Sequence, residues 1–316
     1  MARFTIYFAT DIHGSESCFR KFLNAGKFYG VDAVILGGDV AGKGLIPIAQ
    51  GPSATWQTHL FGRPVEFASE DELADFERRM RLQGYYPYRT TPEELAELAE
   101  HGEALDRAFE HAIGRSVDDW ISLADDRLEA AGIPCLIMPG NDDPPFVKRA
   151  MDEASWLVQC EDRVVELGPY QVASLGYSTP TPWESPREIT EDEMRRKIEH
   201  LVGQLDASTP TIFNIHQPGF DTGTDRAYEL TPDMRIRTAG GEPTFAPVGS
   251  VAVRESLEQV QPVLALHGHI HESRAMTSIG RTKACNPGSV YMEGALQGVI
   301  VSLDRDKVKS HKFVTG

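Results

Sequence analysis

Cysteine is scarce in this chain, and its four copies, Cys18, Cys135, Cys160 and Cys285, are scattered without a C-x-x-C pair. That spacing excludes a disulfide framework and a thiolate metal site, and it fits a reducing cytoplasm. Long apolar runs are missing too. None is long enough to span a bilayer, and Met1 to Ala9 lacks the apolar region of a secretion signal, leading instead straight into Asp11. Basic residues are outnumbered, 31 against 47 acidic, for a formal charge of −16. Such a surface repels polyanions, so neither nucleic acid nor an anionic membrane is expected as a partner. The sequence also lacks internal repeats and low-complexity tracts. What remains, 41% hydrophobic and 25% charged residues over 316 positions, is ordinary for one large α/β domain.

Short β-branched or apolar runs predict strands at 4–9, 32–36, 133–138, 211–215 and 263–266, bounded by Gly, Pro or polar residues as in strands buried on both faces. Helices are predicted at 16–28, 191–205 and 250–260. Thr190 to Glu193 supplies a capping box for the second, and Gly249-Ser250 opens the third. The C-terminal part, at 275–278, 282–285, 297–303 and 308–314, reads as short strands. Two spacings exceed what a βαβ unit needs. Between Asp39 and Gly140 lie 100 residues, including an expected helical insertion at about 45–113 with acidic amphipathic helices near 70–82 and 92–113. Between His216 and His267 lie 50, of which about 217–248 is a Gly-, Pro- and Thr-rich loop insertion without periodicity. Both insertions leave the chain just after a polar motif, so both are expected over the site. The first fits either a cap or a homodimer surface.

Five polar motifs follow the predicted strands in order: Asp11-Ile12-His13, Gly38-Asp39, Gly140-Asn141-Asp142, His216 and Gly268-His269-Ile270-His271. Taken singly each has a bland alternative: a helix cap for Asp11, a common turn for Gly38-Asp39, a type I turn for Gly140 to Asp142, and a hydrogen-bonded core imidazole for His216. The run His267-Gly268-His269-Ile270-His271 resists such a reading, because three imidazoles in five residues would compete for partners and repel when protonated. Neutral imidazole is a preferred ligand of transition metals. In open α/β sheets, residues at the carboxyl ends of strands converge on one crevice. Jointly the motifs therefore point to a metal site.

The ordered set D-x-H, G-D, G-N-x-[D/E], a later His and G-H-x-H resembles the calcineurin-like metallophosphoesterase superfamily, over Asp11 to His271. The run His267 to Glu272 and the later Asn286-Pro287-Gly288-Ser289 look like its bacterial and archaeal small phosphodiesterase branch. The resemblance implies an α/β/β/α sandwich of two mixed sheets flanked by helices. It also implies that Asp11, His13 and His271 hold one ion, that Asn141, His216 and His269 hold a second, and that Asp39 bridges both. The implied chemistry is hydrolysis of a small phosphodiester or phosphomonoester by a hydroxide shared between two divalent ions, with Asp39, Asn141, His216 and Asp142 in the reacting region. The mixed N/O donors suit manganese first, with iron or zinc as alternatives. Many members carry a His directly after the Asn; here Asp142 stands there. A carboxylate beside two cations has its pKa lowered, so it is a poor proton donor, and Asp142 is expected to support Asn141 or cap the turn. Asn286 to Ser289 fits a strand-joining turn as well as a support for the site. His59 lies in the first insertion, within reach of the site on this reading, whereas His101, His111 and His200 read as solvated helix residues. Competing expectations are a non-catalytic scaffold on the same fold, as in a retromer subunit, and a nuclease, which the acidic charge opposes. Arg226, Arg235 and Arg237 could grip an anion or simply balance Asp221, Asp225, Glu229 and Asp233.

Overall fold

The computed structural model describes residues 3–42, 44–51, 55–60 and 62–316. Phe4–Ala9 is a strand because its β-branched and aromatic side chains alternate between two buried faces. It pairs in parallel with Ala33–Gly37, which pairs in parallel with Cys135–Met138. The full sheet runs Lys307–Thr315, Gln297–Asp304, Phe4–Ala9, Ala33–Gly37, Cys135–Met138, Val158–Gln159. A second six-stranded sheet runs Ala275–Ile279, Thr282–Asn286, Leu264–Leu266, Thr211–Ile215, Tyr170–Leu175, Arg163–Leu167. Both are mixed: the first is antiparallel only at its Gln297–Asp304 and Lys307–Thr315 end, the second at both edges, and the centre of each is parallel.

The two sheets face each other. Ile6, Phe8, Ile35 and Met138 from the first pack with Val172, Ile212, Leu264 and Leu266 from the second in one buried cluster. The outer face of the first sheet is covered by helices Glu16–Tyr29, Gly102–Ala131 and Pro145–Asp152, with Phe22, Trp120 and Val147 in that core. Glu191–Val202 and Val251–Val260 cover the outer face of the second through Met194, Ile198 and Leu257. This is the α/β/β/α sandwich. Burying Phe8 and its neighbours between the sheets makes the interface costly to disturb: a Phe→Ala change in such a core removes about 3–5 kcal/mol.

The helix starts follow their caps. Thr190 and Glu193 form a reciprocal capping box, and Ser250 caps Val251–Val260. The expected helix over 92–113 is instead two, Pro92–Glu100 and Gly102–Ala131, broken at His101 where the backbone turns extended. The second runs well past Ile113 to an αL cap at Gly132. The first insertion is not only helical. Gly44–Gln50, Trp56–Leu60, Arg63–Phe67 and Tyr85–Thr90 form a four-stranded sheet, for which Tyr85-Tyr86-Pro87-Tyr88 and Trp56 to Leu60 carried the signal. Within 217–248, short pairs form between Arg226–Tyr228 and Phe245–Pro247 and between Thr238–Ala239 and Glu242–Pro243. Among the described residues no helix is long and apolar enough to cross a membrane, and all four cysteines are free and buried.

Candidate metal centre

Each motif begins where a central parallel strand ends, so the five turns meet at one edge of the sandwich. They are joined directly. Asp11 and His13 donate their backbone N–H groups to the carbonyls of Gly38 and Asp39 at 3.0 Å each, and the Gly268 N–H reaches the His216 carbonyl at 2.8 Å. The Asp142 N–H donates to Asp39 Oδ1 at 2.9 Å. The His269 N–H lies 3.1 Å from both oxygens of Asp11. Gly38, at φ 110°, sits where a Cβ would strike the His216 ring, and a Cβ on Gly268 would collide with Asp11 and Thr10. The backbone is also strained where the polar side chains project: φ is 53° at Asp11, 40° at His13, 50° at Asp39 and 65° at His269. Non-glycine residues held in this region cost about 1–3 kcal/mol each and cluster at functional sites.

The side chains converge. His13 Nε2 and His271 Nε2 are 3.0 Å apart, and His271 Nε2 lies 3.4 Å from Asp11 Oδ1. Asp39 Oδ2 is 3.7 Å from His13 Nε2 on one side and 3.3 Å from His216 Nε2 on the other. His216 Nδ1 donates to the Gly37 carbonyl at 2.9 Å, which turns Nε2 towards the carboxylates. Three groups have the geometry to hold a cation: Asp11, His13 and His271; Asp39, His216 and His269; and His13, Asp39 and Asp142. Asn141 joins them. Its Nδ2 donates to Asp142 Oδ1 at 3.0 Å, while its own Oδ1 is buried without a hydrogen-bond partner, as is His216 Nε2. Buried polar atoms are rarely left so. An amide oxygen left without a donor beside carboxylates and imidazoles is what a divalent cation would satisfy, so the residues fit such a group.

The electrostatics agree. Burial opposes charge on Asp11, yet the imidazoles of His216, His271 and His13 hold it far below the usual carboxylate range. Burial raises Asp39, with His216 opposing and the Asp142 and Asp11 charges adding to the rise. Burial also disfavours the imidazolium of His216, but Asp39 and Asp11 override it and bring its pKa to about 10. Burial and that neighbouring charge lower His269 to about 3. Two carboxylates confined here hold a proton on one imidazole, a positive charge that a metal ion could replace.

Several buried groups support these turns. Asp143, fully buried, accepts the N–H of Ala41 at 2.7 Å, of Val40 at 3.0 Å and of Gly140 at 2.7 Å, clamping the Asp39 turn to the Asn141 turn. Burial and the nearby Asp39 push it up to about 7. Asn286 Nδ2 donates to the carbonyls of Gly268 and Ile270, and Ser289 Oγ to that of Asp11 at 2.6 Å. The Asn286 to Ser289 loop thus braces the site rather than merely joining strands. Arg187 pairs with the buried Glu161 and donates its backbone N–H to the Asn141 carbonyl. His267 turns away, donating Nδ1 to the Ile215 carbonyl at 2.7 Å.

A cavity of about 800 Å³ opens on Asp39, Asn141, Asp142, His269 and His271. Its walls come from the loop insertion, through Tyr228, Glu229, Arg237 and Val248, and from the loop after Tyr170–Leu175, through Trp183 and Ser185. Of the arginines in that insertion, Arg237 reaches the cavity, while Arg235 pairs with Asp233 at 2.9 Å. None of the described residues of the first insertion lines it. Tyr86 accepts the Gly42 N–H at 2.8 Å, and Ser15 Oγ donates to the Leu82 carbonyl, which holds that insertion against the outside of the Asp11 and Asp39 turns. His59 is accordingly exposed on a strand of the small sheet, away from the cavity.

No family model matches the chain. An uncharacterized protein of Methanocaldococcus jannaschii is 30% identical over 156 residues, which is 48% of this chain and 62% of that protein. The chain therefore matches less than two thirds of the length of this relative. Among solved structures, TT1561 of Thermus thermophilus aligns over 100% of this chain and 99% of its own, at a TM-score of 0.53 and 15% identity. Another aligns over the same shares at a TM-score of 0.59 and 15% identity. These likenesses concern the fold. An archaeal phosphodiesterase also aligns, at a TM-score of 0.34 and 12% identity, too low to carry weight. The two facing mixed sheets and the gathering of the motifs at their strand ends agree with the fold that the resemblance in the sequence implied.

Proposed function

We propose that the chain is a dinuclear metal-dependent phosphoesterase that hydrolyses a small phosphate ester. One observation supports this above the rest: Asp39 Oδ2 lies between the His13 and His216 ring nitrogens, at 3.7 and 3.3 Å, so a single carboxylate reaches both ligand groups. Asp11, His13 and His271 would hold one ion and Asn141, His216 and His269 the other, with Asp39 common to both. Divalent ions there, manganese being the first choice for these donors, would ionise a water at neutral pH and offset charge on the phosphate.

The chain's own residues do the rest. Asp142 orients Asn141: it takes the amide N–H and so presents Oδ1 to the site. Ser185 Oγ donates to the same Asp142 oxygen, tying the cavity lip to the centre. Asp142 is thereby a positioning residue and an acceptor, not a proton donor. With no imidazole at that position, leaving groups that depart as anions are favoured, so aryl phosphodiesters should turn over faster than alkyl monoesters. The reading is tested with manganese-loaded protein and bis(4-nitrophenyl) phosphate. Wild type should release nitrophenolate, and Asp39→Ala and His269→Ala should lose at least about a thousandfold in kcat/KM. Full activity in either variant would refute the ligand assignment.

A further inference from the structure

The cavity is far larger than a phosphate group, and at about 800 Å³ it matches the volume of sites for whole small molecules. What fills the rest is set by its walls. Trp183, Tyr228 and Tyr291 all line it, with Leu230, Val248 and Ile270 completing an apolar side. Trp183 is 69% exposed. A tryptophan so exposed loses the contacts that would justify it in a core. Nor is it on a slack loop. Its backbone N–H meets Thr181 Oγ1 at 3.2 Å, Glu188 accepts from Thr181 Oγ1 and the Ser185 N–H, and Gln217 exchanges two 2.8 Å hydrogen bonds with Thr179. Ser185 then anchors the loop to Asp142 beside the metal ligands. On the other insertion, Tyr228 packs on Phe245 with ring centroids 4.7 Å apart, which fixes its plane. Charge narrows the occupant. Glu229 and Glu272 line the cavity with Arg237 as the lone cation among its described lining residues, so a second anionic group is disfavoured.

Resting on the phosphoesterase reading above, we propose that the substrate is a phosphodiester whose retained ester group carries an uncharged planar aromatic ring, bound against Trp183 and Tyr228. Rigid aromatic side chains offer such a ring stacking beyond simple burial.

The test holds the leaving group constant. Manganese-loaded protein is given 4-nitrophenyl esters of methyl, phenyl and thymidine 5′-phosphate. Both aromatic esters should show kcat/KM at least about tenfold above the methyl ester, or one of them should, which identifies whether the ring is attached directly or through a sugar. Trp183→Ala should bring that ratio towards one, and Trp183→Phe should restore most of it. A second readout needs no turnover: phenylphosphonate should quench tryptophan emission of wild type more than methylphosphonate does, and Trp183→Ala should lose the difference. Methyl and aromatic esters cleaved equally well would overturn the aromatic subsite and leave the phosphoesterase standing. No cleavage of any ester would overturn both.

Discussion

At the scale of single side chains, Asp39 and His216 are the closest buried pair of opposite kind in the site, 3.3 Å apart. Without a metal, His216 is raised to about 10, above its ordinary value of about 6.5, by the two carboxylates it faces. Its contribution to the stability of the metal-free protein is therefore complete below about pH 6.5 and lost as pH rises through about 10. A cation that binds His216 must displace the proton. Manganese binding at pH 7–8 should release about one proton per chain, and affinity should fall as pH falls. Calorimetric titration in two buffers of different ionisation enthalpy measures this, and buffer-independent heats would count against it. Asp143 is the complementary case, a buried carboxylate with three backbone donors and no role as a ligand. Asp143→Ala leaves those N–H groups unpaired and should cost about 3–5 kcal/mol in urea unfolding. A loss below about 1 kcal/mol would show that the clamp is not needed.

At the scale of elements, the legible parts were those where local chemistry and tertiary fate agree. The strands Phe4–Ala9 and Thr211–Ile215 and the helix Glu70–Leu82 lie at the predicted positions, because apolar runs bounded by polar turns, and capped amphipathic runs, have few other uses. Arg163–Leu167 and Tyr170–Leu175 went unread because their alternation is short and one of them is buried along its whole length. The break at His101 falls beside Gly102, a poor residue for a helix interior, and Leu98 and Ala104 on either side of it pack with Tyr88 and Leu45. The candidate ligand cluster was legible because its residues sit within a few positions of strand ends. Their braces were less so: Asn286 to Ser289 read equally as a turn or a support, and the Asp143 clamp went unread, because both act through backbone groups distant in sequence. The loop at Asn286 gives the element-scale prediction. Asn286→Ala removes donors to the Gly268 and Ile270 carbonyls, so it should weaken manganese binding about tenfold or more, as loss of outer partners of metal ligands commonly does. Unchanged affinity would mean the Gly268 to His271 turn holds its shape unaided.

At the scale of the whole molecule, an acidic chain of net charge −16 places its polar cleft at the shared edge of two stacked sheets. The surrounding field disfavours polyanions, so single- and double-stranded DNA should remain uncut and unretained at physiological salt, checked by gel assay. A small ester can still enter, because local cations would reverse the field at the turn cluster. The account stands or falls on those cations. Metal analysis after reconstitution with manganese and removal of free ion tests it most directly. Two ions per chain for wild type, falling sharply in Asp39→Ala, is the predicted result; a wild-type chain that retains no stoichiometric divalent ion would contradict it.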